Sequence, residues 1–221
     1  HKKGIYLIEG KQWDGDVDKE HFNYDYLMGA DVDFNNEEVL VETAAWGEWY
    51  LDLTQADGVR LDAVKHIKFG FYKEWLAQMR KNLNLMAIGE YWSGDLKAIH
   101  NYLNEEGYAM SIFDVGLHYN FFNLSDSDGN GDISRIFDGT LVENNPNYAI
   151  TFVDNHDTQQ GQSLQSEVLA WMKPLAYALI LLREAGTPCL FYKDMEDATL
   201  RETLATMTQI ATNEHVLQHY P

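Results

Sequence analysis

The feature that most constrains this chain is a rhythm of short apolar runs, each closed by an acid: Gly58-Val59-Arg60-Leu61-Asp62, Met86-Ala87-Ile88-Gly89-Glu90 and Ile150-Thr151-Phe152-Val153-Asp154-Asn155-His156-Asp157. The first two acids stand about one strand-plus-helix unit apart, and a further strand-like run, Met110-Ser111-Ile112-Phe113-Asp114-Val115, precedes the third. That spacing belongs to parallel βα repeats. In such folds functional side chains gather at the carboxyl ends of the strands, whether the sheet closes into a barrel or stays open. Asp62, Glu90 and Asp157 therefore occupy positions where chemistry is done.

The 221 residues, 45% hydrophobic and 13% aromatic, suffice for a sizeable core and exclude a disordered chain. A formal charge of -19 argues against a nucleic-acid partner, which needs a basic footprint, and favours a neutral substrate or a cation. Much of that charge, including Glu37, Glu38, Glu105 and Glu106, reads as solvated surface. The single cysteine, Cys189, excludes an internal disulfide and lies in an apolar run, as a buried thiol would. The longest strongly apolar stretch, Leu175 to Leu182, is too short for a bilayer, so no membrane partner is expected. The opening His1-Lys2-Lys3 has neither an initiator Met nor an apolar leader core, which reads as a fragment and leaves the compartment open.

Residues 1–36 are rich in Asp, Asn, Gly and aromatic residues with no period, the pattern of irregular structure. Asn36 caps an expected helix to about Gln55 with an apolar face of Val39, Leu40, Thr43, Trp46, Trp49, Tyr50 and Leu53. Strands are then expected at Asp57 to Asp62, Leu85 to Glu90, Met110 to Val115, Tyr148 to Val153 and Pro188 to Tyr192. Helices are expected at Ile67 to Leu83, Leu96 to Asn104, Ile133 to Phe137, Lys173 to Ala185 and, as one helix or two, Met195 to His219. Five parallel strands do not close an eight-stranded barrel, so periodicity leaves an open doubly wound sheet as the alternative, although no glycine-rich phosphate loop supports it.

Arg60 and Asp62 are two apart in a strand and share a face, where the guanidinium favours the ionised carboxylate that a nucleophile needs. A structural ion pair is the equal alternative. Glu90 precedes Tyr91 and Trp92, an aromatic setting that raises a carboxyl pKa and favours the protonated acid. One ionised and one protonated carboxyl make the pair that cleaves glycosides. Trp92 and Tyr91 offer flat faces for sugar rings, or simple packing. Asp154-Asn155-His156-Asp157 adds an imidazole and a third acid on a turn that exposes polar groups, alternatively an Asx turn without chemistry.

The runs Gly58 to His66, Gly89-Glu90-Tyr91-Trp92 and Phe152 to Asp157 resemble three signature regions of the α-amylase family of glycoside hydrolases, closest to bacterial liquefying enzymes. The resemblance continues through Tyr24-Asp25-Tyr26-Leu27-Met28, Phe113-Asp114-Val115 and Lys173-Pro174-Leu175-Ala176-Tyr177, covering about Trp13 to Tyr192. It implies an α/β fold comprising part of a TIM (β/α)8 barrel, about strands four to eight, as a catalytic domain over 37–221. Residues 1–36 would be the end of an inserted calcium-binding loop or β domain. Nothing matches the family's first signature region, so strands one to three and the β-sandwich domain are expected in a longer chain. Lys193 stands where the family usually has glycine.

By that resemblance Asp62 is the nucleophile, Glu90 the general acid/base and Asp157 the third acid that holds sugar hydroxyls. Arg60, Lys65, His66, Trp92 and His156 would contact substrate. The implied activity is endo-hydrolysis of α-1,4-glucosidic bonds in starch, glycogen or maltooligosaccharides by a retaining double displacement. The alternatives are a glucanotransferase of the same family and an inactive carbohydrate- or calcium-binding fragment. Asp14, Asp25, Asp31 and Asp33 form a dense acidic run suited to a hard cation, and in the family resembled they belong, with main-chain oxygens at Val32 and His66, to a calcium or calcium-sodium cluster. Asp126 to Ile133 imitates half of an EF-hand loop, but Phe137 stands where the bidentate acid should be, so this segment reads as a loop.

Overall fold

The computed structural model describes residues 32–81 and 83–213. Asp14, Asp25, Asp31 and most of the expected 1–36 segment lie outside them. The described chain forms two compact units, the first running to Tyr91 and taking in His100–Met110, the second comprising Trp92–Ile99 and the chain from Ser111 onward. Both are built from parallel strands joined by helices. Among the described residues no helix is long and apolar enough to cross a membrane.

In the first unit, helix α1 (Glu37–Thr54) starts where expected because the Asn36 side chain accepts the Glu38 amide. It ends at Gln55, whose left-handed backbone returns an N–H to the Leu51 carbonyl. The expected apolar face is not the buried one. Gly47 and Leu51 are buried, whereas Leu40, Trp46, Trp49, Tyr50 and Leu53 are exposed. Gly47 sets that choice, since a Cβ there would lie 2.5 Å from the Trp75 ring. The glycine brings α1 against helix α2 (Phe71–Met79), and the Trp75 indole donates to the Thr43 carbonyl at 3.2 Å.

Strands β1 (Gly58–Leu61) and β2 (Met86–Gly89) pair in parallel, Leu61 opposite Gly89. Helix α2 begins four residues later than expected, because Val64–His66 makes a 3-10 turn and Gly70, at φ 87°, redirects the chain. The carboxylate that caps α2 is Glu106, which accepts the Gly70 amide at 2.6 Å and the Lys73 amide at 2.8 Å. Glu106 is thus buried, not part of the solvated acidic surface. Helix α3 (Leu96–Glu105) leads into it as expected.

In the second unit, β3 (Ser111–Phe113), β4 (Ala149–Phe152) and β5 (Thr187–Cys189) pair in parallel in chain order. All four residues of β4 are buried, as in a strand covered on both faces. The run after β3 is a helix unforeseen in the sequence, α4 (Val115–Ser125). Asp114 starts it: the carboxyl accepts the Leu117 amide at 3.1 Å and, from the other side, the Leu141 and Val142 amides that open α5 (Leu141–Asn144). Only Ile133–Arg135 of the next expected helix is helical, as a 3-10 turn. Helix α6 is Lys173–Leu181, α7 Tyr192–Glu196 and α8 Arg201–Asn213.

Candidate active site

Asp62 and Glu90 come together because β1 and β2 are in register and each acid stands one residue past its strand. The Glu90 amide donates to the Leu61 carbonyl at 2.8 Å, extending the pairing by one step. Ala63 then turns into the left-handed region at φ 48°, wrapping the exit of β1 around Glu90. Its amide donates to Glu90 Oε2 at 3.3 Å, and the Val64 amide donates to the Glu90 carbonyl at 3.1 Å. A non-glycine residue held there stores about 1–2 kcal/mol of backbone strain.

Arg60 joins the two acids. A single guanidinium nitrogen, Nη2, lies 3.2 Å from Asp62 Oδ1 and 3.1 Å from Glu90 Oε2. Glu90 is buried whereas Asp62 is open to solvent. Burial raises the Glu90 pKa above its ordinary value, and a hydrogen bond to the Asp62 side chain raises it further, against the opposing pull of the Ala63 amide and Arg60. The two carboxyls therefore differ in the way acid–base chemistry requires, one shielded and proton-retaining, the other accessible.

Lys65 and His66 lie half-buried on the 3-10 turn that follows Ala63. Tyr91 is not a sugar platform: it is fully buried and packs on Tyr102, ring centres 4.7 Å apart. Trp92 remains half-exposed, its indole donating to the Tyr119 hydroxyl at 3.0 Å and its ring 6.1 Å from Phe152.

In the second unit, His156 and Asp157 sit together on the turn after β4, Nε2 to Oδ2 3.2 Å. The turn is an Asx turn, Asn155 Oδ1 accepting the amides of Asp157 and Thr158. Asp154, by contrast, does not expose its carboxyl but buries it, against Lys173 Nζ at 3.1 Å. Sequence reading missed this group, its partner Thr158, and Asp194, which holds Lys173 from the other side and accepts the Tyr177 hydroxyl. The available signal was Lys173, a cation ahead of an otherwise apolar helix, which reads locally as a helix start.

Of the expected metal ligands, Val32 is exposed, Asp33 Oδ1 accepts the Asn35 amide at 2.8 Å, and His66 is on the 3-10 turn. Among the described residues no group of three or more His, Cys, Asp or Glu is placed to hold a metal ion. The EF-hand-like segment is a turn, with Asp128 and Gly129 at positive φ and Asp132 capping the 3-10 turn. An apolar cleft of about 330 Å³ lies between α1 and α2, and none of the three acids lines it.

Parallel strands joined by helices, with Asp62 and Glu90 one residue past their strands, define an α/β fold. The chain belongs to the α-amylase family: the model described as "Alpha amylase, catalytic domain" matches residues 5–215. It is 51% identical over 187 residues to an α-amylase of Geobacillus stearothermophilus, covering 84% of this chain and 34% of the relative. It is 50% identical over 193 residues to an α-amylase of Bacillus licheniformis, covering 86% and 38%. The chain thus spans little more than a third of the length of these relatives. A crystal structure of an Anoxybacillus α-amylase superposes with a TM-score of 0.67 at 20% identity, over 93% of this chain and 52% of that one, a likeness of fold. The expected partial-barrel fold class stands.

Proposed function

We propose that this chain carries the catalytic acids of an endo-acting hydrolase that cleaves α-1,4-glucosidic bonds in starch- or glycogen-type glucans with retention. The observation that carries the reading is the Arg60 nitrogen within 3.2 Å of Asp62 and 3.1 Å of Glu90. Glu90, with its raised pKa, donates its proton to the glycosidic oxygen as the bond to the leaving sugar breaks. Asp62 attacks the anomeric carbon and forms a covalent glucosyl ester. A water then gives its proton to Glu90, attacks the same carbon and releases Asp62. Asp157 takes the role of the third acid, holding sugar hydroxyls, with His156, Lys65, His66 and Trp92 as substrate contacts. The relatives' names support the substrate class.

Replacing Glu90 with Gln keeps the shape and removes the transferable proton. Hydrolysis of soluble starch by the variant should fall about 10²- to 10⁴-fold; undiminished turnover would refute the role of Glu90. Product analysis on maltooligosaccharides separates water from sugar as the attacking group, hence hydrolase from glucanotransferase.

Calcium is the second part of the proposal. Asp14, Asp25, Asp31 and Asp33 with the main-chain oxygens of Val32 and His66 make an all-oxygen set, the kind that calcium takes. The ion would supply structural cross-linking of the N-terminal segment to the turn after β1. Chelation should then lower the melting temperature, and added calcium should restore it; a midpoint indifferent to both would refute the site.

A further inference from the structure

The far end of the turn that carries Asp157 is tied, through Thr158, to one buried carboxyl, that of Asp154. Asp154 Oδ1 accepts the Thr158 hydroxyl at 3.0 Å, and the same hydroxyl oxygen accepts the Asn155 amide at 3.0 Å. The Val168 amide reaches Asp154 at 3.2 Å, and Lys173 Nζ closes on its other oxygen at 3.1 Å. The ammonium is itself fixed: Asp194 Oδ1 is 2.7 Å away, Asp194 Oδ2 accepts the Tyr177 hydroxyl at 2.6 Å, and Glu167 Oε1 stands at 3.4 Å. The Asp154 side chain is 0% exposed, Lys173 8% and Asp194 6%.

We propose that Asp154 and Lys173 are positioning residues, whose buried ion pair, tied to Asp194 and Tyr177, holds the Asn155–Thr158 turn and so fixes where Asp157 is presented. The assignment rests on the reading of Asp157 as the third acid. Three carboxylates share one ammonium, so removing Lys173 leaves buried acids without their cation, which either take up a proton or pull the turn toward water. The Asx turn alone does not replace this hold. Asn155 organises the turn within itself, whereas Asp154 and Lys173 anchor it to α6 and α7.

The test is native-state amide exchange in Lys173→Met and in Thr158→Val, the second cutting the tie to Asp154 without touching a charge, so that one folded variant suffices. The Asp157 and Thr158 amides should exchange about 10-fold faster or more, while Ile150 and Thr151 in β4 change less. Turn and strand amides moving together, or turn amides that do not move, would overturn the inference. On soluble starch the same variants should lose kcat about 10- to 100-fold with KM held; kcat maintained despite a loosened turn would equally overturn it. Asp157→Asn serves as the separate arm. Undiminished hydrolysis in that variant would refute Asp157 as the third acid while leaving the exchange result standing.

Discussion

Arg60 sets the terms on which Asp62 and Glu90 meet. It is one of the causes that lower the Glu90 pKa, opposing burial and the Asp62 hydrogen bond. In Arg60→Met the Glu90 titration, followed by carboxyl NMR, should move further upward; a downward move would contradict the shared-cation geometry. The same raised pKa has a stability consequence whose sign is fixed by linkage. Neutral Glu90 contributes fully below the ordinary value of 4.5, and the contribution is lost as pH rises through the higher folded value, a slope that Glu90→Gln should remove from chemical denaturation curves. Arg60, Asp62 and Glu90 were legible in the sequence because a period of two and a strand end are local properties. The Ala63 amide on Glu90 and the Asp154–Lys173 pair were not, since the partners are far apart in the chain and meet only through the fold.

Among the elements, α4 was the clearest miss, and the reason is physical. Leu117, His118 and Phe121 are buried on one side, but Tyr119 and Phe122 put aromatic residues on other sides as well, so no narrow apolar stripe marks it. Its start was signalled by Asp114, whose carboxyl also opens α5. Asp114→Ala orphans three buried amides at two helix starts and should destabilise the protein by about 3 kcal/mol, from capping and unsatisfied-donor losses together. An unchanged urea midpoint would show that the double cap is dispensable. α1 teaches the converse lesson: its bounds were readable from Asn36, but which side it buries depended on the close approach at Gly47 to a tryptophan elsewhere in the chain.

For the whole molecule the exposed aromatic side of α1 and the charge of -19 act against each other. Trp46 stacks on Tyr50 with ring centres 5.2 Å apart, and Trp49 and Leu53 extend the apolar surface. Such surfaces associate, while like charge keeps molecules apart until salt screens it. Sedimentation should therefore show self-association rising with ionic strength in the parent protein and much reduced in a Trp46→Lys, Trp49→Lys double variant; identical behaviour of the two would assign association to another surface. The pairing of β1 with β2, and of β3 with β4 and β4 with β5, has a different consequence. Each of these strands pairs with the next strand along the chain, Gly58 with Met86, Ile112 with Ala149 and Ile150 with Thr187, so loop closure within each unit stays local in sequence. A chain leaving the ribosome N-terminus first can thus register β2 on β1 before β5 has been synthesised, bringing Glu90 to Arg60 while much of the polypeptide is still being made.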